Sequence, residues 1–305
     1  MSKSSPNTNE PPEINEELAA FLIRDQMPQW SHLPVNPVLN GGASNATFHL
    51  GENMSIRMPR YEYKAAQLEA EFEWLPKKSQ RLSLPISRPI VMGEPAFNYP
   101  WRWGIYGWIE GDMALPENVP DMVVFAEDLA RFLKALQGID SHGGPLSGAR
   151  NSYRGCSLSF YDDESRKAIE LLRGRIDEHA ALELWETALA SEWTRPPVWL
   201  HGDIGAENLL VREGRLCGVI DFGNFGIGDP ACDLAMCWNN FESEARDAFR
   251  SILPLDAETW NRGRGWVLWK AMIIASGVCG DGNAEDMKWA MPIIKRTLDD
   301  HKKQQ

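Results

Sequence analysis

The chain has 305 residues, 43% apolar and 24% charged, an ordinary globular composition with ample apolar material for one large domain or a two-lobed body. A formal charge of −12, with no Lys/Arg run or basic–aromatic stripe to offset it, excludes a phosphate-backbone binder, so no nucleic acid is expected as a partner. The longest apolar stretches, such as Ala271–Ser276, fall far short of the ~18 residues of a membrane span.

The start, Met-Ser-Lys-Ser-Ser, has no apolar signal region. A cytoplasmic chain is therefore expected, with its five cysteines (Cys156, Cys217, Cys232, Cys237, Cys279) reduced and mostly buried. The six histidines show no metal-ligand spacing, so no structural zinc is expected.

Residues 1–12 are polar and proline-rich and read as a flexible tail. Leu18, Phe21 and Leu22 then mark one helical face, with Asn15 as its cap and Pro28 as its stop. Short β-like pieces follow at Val35–Leu39, Thr47–Leu50 and Met54–Met58, the last two joined by the turn Gly51-Glu52-Asn53. Glu62–Leu75 is a helix expected to end at Pro76, and further strands are expected near Pro89–Met92 and Trp103–Trp108.

Beyond Glu110-Gly111 the texture becomes helical, at Asp121–Gln137, Glu164–Arg175, Ala180–Glu192, Ala231–Asn239, Glu242–Ser251, Ala257–Ala275 and Asp286–Leu298. Pro292 is expected to interrupt the last of these. The organisation implied is α+β: a tail (1–12), a small β-rich lobe (13–108) and a larger, mainly helical lobe (109–305).

The chemistry concentrates between Trp199 and Ala235. Leu209–Val211 and Leu216–Ile220 are apolar runs joined by Arg212-Glu213-Gly214-Arg215, a hairpin signature. Asn208 precedes the first strand and Asp221 follows the second, so both lie at the same end of the hairpin, and Asp203 sits five residues upstream of Asn208. One amide oxygen and two carboxylates form the hard-oxygen surroundings that Mg²⁺ accepts, with water and phosphate completing the shell. No G-x-x-x-x-G-K-[ST] loop and no G-x-S-x-G elbow occurs, which disfavours a P-loop NTPase and an acyl hydrolase.

These residues resemble the catalytic core of the protein-kinase-like fold, and within it the aminoglycoside phosphotransferase and choline kinase branch. H-x-D-x-x-x-x-N stands here as His201, Asp203 and Asn208, and D-F-G as Asp221, Phe222 and Gly223. The resemblance implies that Asp203 accepts or orients the proton of a substrate hydroxyl. It implies that Asn208 and Asp221 hold Mg²⁺ on the phosphates of ATP or GTP, bound where the lobes join. Gly202, in place of the protein-kinase Arg, looks like the small-molecule-kinase form. Asp229-Pro230-Ala231-Cys232-Asp233 has the look of that branch too, with Asp229 near a helix cap and Asp233 holding the catalytic loop while His201 supports it.

In the small lobe, Asn40-Gly41-Gly42-Ala43-Ser44-Asn45 precedes a strand and would bring backbone amides, Ser44 and Asn45 to the phosphates. Arg57 stands where protein kinases carry a phosphate-binding Lys. Its acidic partner on the next helix is Glu69 or Glu71, and Glu71 best fits the family pattern. The connector, including Trp108 and Ile109, would line an adenine pocket. Trp103 reads as core, as do Trp260, Trp266 and Trp269.

Asp162, Asp163 and Glu164 either complement a helix dipole or recognise a cationic ligand. The resemblance and the acidic balance point to a cationic small-molecule hydroxyl acceptor, an aminoglycoside-type antibiotic before a macrolide or a metabolite. A catalytically silent nucleotide binder is disfavoured by the intact Asp203–Asn208–Asp221 set.

Overall fold

The computed structural model describes residues 13–38 and 44–304. The expected tail and the Asn40–Ala43 part of the phosphate loop lie outside the described residues, as does Leu39. The chain divides into two compact units, one reaching Gln80 and adding Pro85–Glu110, the other made of Arg81–Leu84 and the residues from Gly111 onward.

The first unit opens with α1 (Glu16–Gln26), capped by the Asn15 side chain on the Leu18 N–H as its sequence suggested. It continues with β1 (Val35–Pro37), β2 (Asn45–Leu50), β3 (Met54–Pro59), α2 (Glu62–Lys78), β4 (Pro89–Gly93) and β5 (Trp103–Gly107). The five strands form an antiparallel sheet ordered β1-β2-β3-β5-β4. Alternate residues of β2, namely Ala46, Phe48 and Leu50, face a core shared with Leu22, Ile56, Tyr99 and the fully buried Trp103. Burial raises the Tyr99 phenol, whose hydroxyl donates to the Pro59 carbonyl at 2.8 Å.

Pro76 does not end α2. In the last turn a proline forfeits only one backbone bond, and the helix runs two residues further to Lys78, with the Ser79 N–H still donating to the Leu75 carbonyl.

The second unit contains β6 (Asp112–Met113), α3 (Met122–Gln137), α4 (Asp162–Leu171), α5 (Glu178–Leu189), β7 (Val198–Leu200), β8 (Leu209–Arg212), β9 (Arg215–Val219), β10 (Gly226–Gly228), α6 (Met236–Asn239), α7 (Ser243–Ile252), α8 (Ala257–Ala275) and α9 (Ala284–Lys302). Buried along most of its length, α8 is the core of this unit and packs against α4, α5 and α9. Close approach needs its glycines: a Cβ at Gly265 would lie 2.6 Å from the Ala188 side chain.

Four expectations change here. Ala231–Asn239 is a 3₁₀ turn, Pro230–Leu234, followed by the single turn of α6, and its tighter winding accompanies an Asp233 carboxylate turned back into the protein. Pro292 leaves α9 continuous. The helix expected from Glu164 begins at Asp162 and stops at Leu171, with Gly174 at φ +73° turning the chain. Of the five cysteines, all unpaired, only Cys232 and Cys237 are buried. The short strands β6, β7 and β10 left no trace in the sequence, since two or three residues are too few for a period-two pattern.

Candidate active site

In the second unit the hairpin β8–β9 turns through Glu213 and Gly214, both at positive φ (53° and 75°), the requirement of a two-residue type I′ turn. Leu209 pairs with Val219, and the Ile220 N–H donates to the Asn208 carbonyl at 2.9 Å. Asn208 and Asp221 therefore leave the hairpin at the same end. The Asn208 amide is oriented by its Nδ2, which donates to the Asp203 carbonyl at 3.0 Å, and Asp221 occupies the left-handed region at φ +57° while capping the turn Phe222–Asn224. Such backbone is uncommon outside glycine and concentrates at functional positions.

The loop His201–Asp203 is held from beneath. The two Asp233 carboxylate oxygens accept the His201 and Gly202 N–H groups at 2.7 and 2.8 Å, with Asp233 fully buried. Burial pushes the Asp233 carboxyl upward. His201 accepts the Asp203 N–H on Nδ1 (3.2 Å), which assigns its proton to Nε2, donated to the Ile220 carbonyl at 2.9 Å. Gly202 is at φ +82°, and a Cβ there would come within 2.3 Å of the Asn224 carbonyl oxygen. That explains a glycine, rather than any side chain, between His201 and Asp203. Asp229 caps Ala231 and meets the buried Arg262 guanidinium at 2.6 Å, which itself reaches Ser191 and Thr259.

Asp203 lies in the wall of a cavity of about 800 Å³ in this unit. Its Oδ1 is 3.3 Å from Lys270 Nζ. Burial alone would raise the Asp203 carboxyl, but the charges of Lys270 and Arg154 outweigh it and hold the group below the ordinary carboxylate value. Arg154, also in the wall, lies over Trp266 and Trp269, its guanidinium 5.7 and 5.4 Å from their ring centroids. Both tryptophans are buried, as their helical placement suggested, and both also line the cavity.

Neither Arg154 nor Lys270 was singled out from sequence. Lys270 did leave a trace, being the lone cation in the apolar run Trp266–Ala275; Arg154 left none. The structure does not bring Asp162, Asp163 or Glu164 to this cavity. They form the first turn of α4, where Asp162 meets Arg166 at 2.8 Å and the Trp185 indole at 2.7 Å, and Glu164 accepts the Trp269 indole N–H at 3.1 Å. The acids in the cavity wall are instead Asp203, Glu207, Glu285 and Asp286.

In the first unit, Arg57 on β3 meets both Glu71 oxygens at 3.2 and 3.3 Å. The Tyr106 hydroxyl donates to Glu71 at 2.6 Å, and its ring lies 4.7 Å beneath the Arg57 guanidinium. Glu71 is buried, whereas Glu69 is 48% exposed and pairs with Arg102, which decides between the two acids. Ser44 accepts the Arg60 N–H on its carbonyl, and Asn45 opens β2. Trp108 and Ile109 follow β5; Trp108 donates its backbone N–H to Asn53 and its ring packs on His49 at 4.2 Å. Among the described residues, no group of three or more His, Cys, Asp or Glu side chains could hold a metal ion, and no helix is long and apolar enough to cross a membrane.

The model of the phosphotransferase enzyme family matches residues 37–266, three quarters of the chain. The chain belongs to that family. Among the family's curated members, an aminoglycoside 3'-phosphotransferase of Escherichia coli is 50% identical over 46 residues, 15% of this chain and only 17% of the relative's length. An aminoglycoside 3'-phosphotransferase of Enterococcus faecalis is 22% identical over 235 residues, 71% of this chain and 84% of the relative. The GDP complex of an aminoglycoside 2'-phosphotransferase superposes with a TM-score of 0.71 at 18% identity, covering 94% of this chain and 99% of that one. The two-part architecture of the chain, a small antiparallel sheet unit and a helical unit, is thus the kinase-like α+β fold.

Proposed function

We propose that the chain is an O-phosphotransferase that moves the γ-phosphate of ATP or GTP to a hydroxyl of a small molecule, of the aminoglycoside class named for its relatives. The observation that carries the reading is Asp203: an ionised carboxylate, on a loop clamped by Asp233, in the wall of a cavity of about 800 Å³ that suits a small acceptor. Asp203 takes the acceptor's hydroxyl proton as the oxygen attacks. The new O–P bond forms as the bond between the γ-phosphorus and the bridging oxygen breaks, and that electron pair leaves with the nucleoside diphosphate.

Arg57, steadied by Glu71 and Tyr106, is the phosphate-holding cation, and Ser44 and Asn45 lie at its end of the sheet. Asn208 and Asp221 fit Mg²⁺: both offer hard oxygens at one end of the hairpin, and phosphate and water would complete the coordination. When bound, the ion neutralises phosphate charge. Trp108 and Ile109 are the connector residues beside the base.

The test is phosphate transfer from γ-labelled ATP and GTP to a panel of aminoglycosides, macrolides and amino alcohols. Asp203→Ala lowers kcat about 10²–10⁴-fold with little change in nucleotide binding. Resistance on expression would identify the antibiotic. No transfer to any aminoglycoside at millimolar concentration would remove that class.

A further inference from the structure

The cavity beside Asp203 carries an arrangement that a general base alone does not require. Three cations line it, and while Arg296 donates to the Trp238 and Asn239 carbonyls, two others come from distant parts of the chain: Lys270 from α8, and Arg154 from the loop ahead of α4. Arg154 is held on the faces of Trp266 and Trp269, and no carboxylate lies within ion-pair distance of it among the described residues. The two residues before it, Ser152 and Tyr153, both take left-handed backbone (φ 53° and 57°), a conformation that costs energy in a non-glycine residue and that presents Arg154 to the wall. The exposed acids Glu207 and Glu285 also border the cavity, as does Asp286, which accepts the Asn283 N–H.

We infer that Arg154 and Lys270 form an oxyanion subsite for the phosphoryl group as it arrives on the acceptor. The inference rests on the phosphotransferase reading above and specifies what these two residues do in it. The argument is one of distance. A hydroxyl that gives its proton to Asp203 sits about 3 Å from that carboxylate, and the phosphorus is one bond further on. Lys270 Nζ is already 3.3 Å from Asp203 Oδ1, so the phosphoryl oxygens come within reach of its remaining N–H groups. As Asp203 is neutralised by the acceptor's proton, Lys270 loses its ion-pair partner, and it and Arg154 meet the oxygens of the arriving phosphate monoester, whose negative charge would otherwise stand uncompensated at a cost that rises as water is excluded. Arg154 supplies a second charge with a fixed planar fork, suited to two oxygens of one tetrahedral group.

The same chemistry would also recognise a carboxylate carried by the acceptor, and binding in the absence of nucleotide separates the two sources. Inorganic phosphate is titrated into the full chain and followed by ³¹P line broadening, with sodium acetate and D-gluconate as competing carboxylates. Saturable phosphate binding is expected, weakened about tenfold in Lys270→Met and in Arg154→Gln, partly recovered in Arg154→Lys, and not displaced by equimolar carboxylate. Thermal melts of each variant identify any that fails to fold, and Arg154→Lys then carries the comparison.

With an accepted substrate, both variants lower kcat and leave the acceptor KM near its wild-type value, because the charge they meet exists only once transfer is under way. Phosphate binding that is absent, or equal in wild type and both variants, overturns the subsite. Gluconate outcompeting phosphate, or an effect confined to acceptor KM, assigns the cations to an acceptor carboxylate instead. Absence of any phosphate transfer alongside intact, variant-sensitive phosphate binding would refute the proposed function and leave the oxyanion subsite standing.

Discussion

Removing the Asp233 carboxylate measures what holds the His201–Asp203 loop. In Asp233→Ala, the His201 and Gly202 N–H groups, now bonded at 2.7 and 2.8 Å, lose their acceptor in a place with no access for water. Each orphaned buried donor costs about 1–3 kcal/mol, so the gross loss is about 2–6 kcal/mol. Part is offset, because burial already disfavours this carboxylate and the variant no longer carries that penalty. The net expectation is about 2–4 kcal/mol, large against a typical total stability of about 5–15 kcal/mol.

Asp233→Asn keeps one carbonyl acceptor but turns an NH₂ toward the second N–H, so it should fall between wild type and Ala. Urea unfolding at pH 7, followed by tryptophan fluorescence, gives the midpoints. The loss of kcat should exceed that expected from the unfolded fraction alone, since Asp203 rides on the released loop. An Asp233→Ala variant within about 0.5 kcal/mol of wild type would refute the clamp.

Arg262→Ala leaves Asp229 a buried, unpaired charge and should cost about 3–5 kcal/mol, read in the same assay, whereas the exposed Arg173–Glu178 pair should be nearly silent. Gly202→Ala meets both the left-handed backbone and the Asn224 carbonyl. A loss of more than about 2 kcal/mol is expected, together with inactivation, and a stable active variant would refute the steric account. Tyr106→Phe removes a 2.6 Å charge-assisted bond to Glu71 and should cost about 1.5–3 kcal/mol and raise the nucleotide KM by loosening Arg57. Asp203 is held below its ordinary value of 3.8, so the stability it contributes is full above that pH and is lost as pH falls through its folded value; the difference between wild type and Asp203→Asn should therefore shrink below about pH 4.

Local signals determined a good deal by themselves. Periodicity placed α1, α3 and α8, and a cap marked the start of α1, because an apolar pattern and a side-chain cap are written within a few consecutive residues. The hairpin between Asn208 and Asp221 was legible for the same reason: turn chemistry and flanking apolar runs set the register, and register sets which ends meet. The pairing of Arg57 with an acid on α2, and the preference for Glu71 over Glu69, followed from motif position, but the physical basis of that preference did not. It depends on which helix face turns toward β3 and β5, and only packing settles that.

The tertiary structure alone decided the surroundings of Asp203. Lys270 is 67 residues away in sequence, and Arg154 comes from an irregular loop with no repeat to betray it. Asp162 and Glu164, prominent in the sequence, are drawn instead to Arg166, Trp185 and Trp269. Charge in a sequence says what a residue offers; which partner takes it depends on desolvation and geometry at long range, and those exist only once the chain has folded.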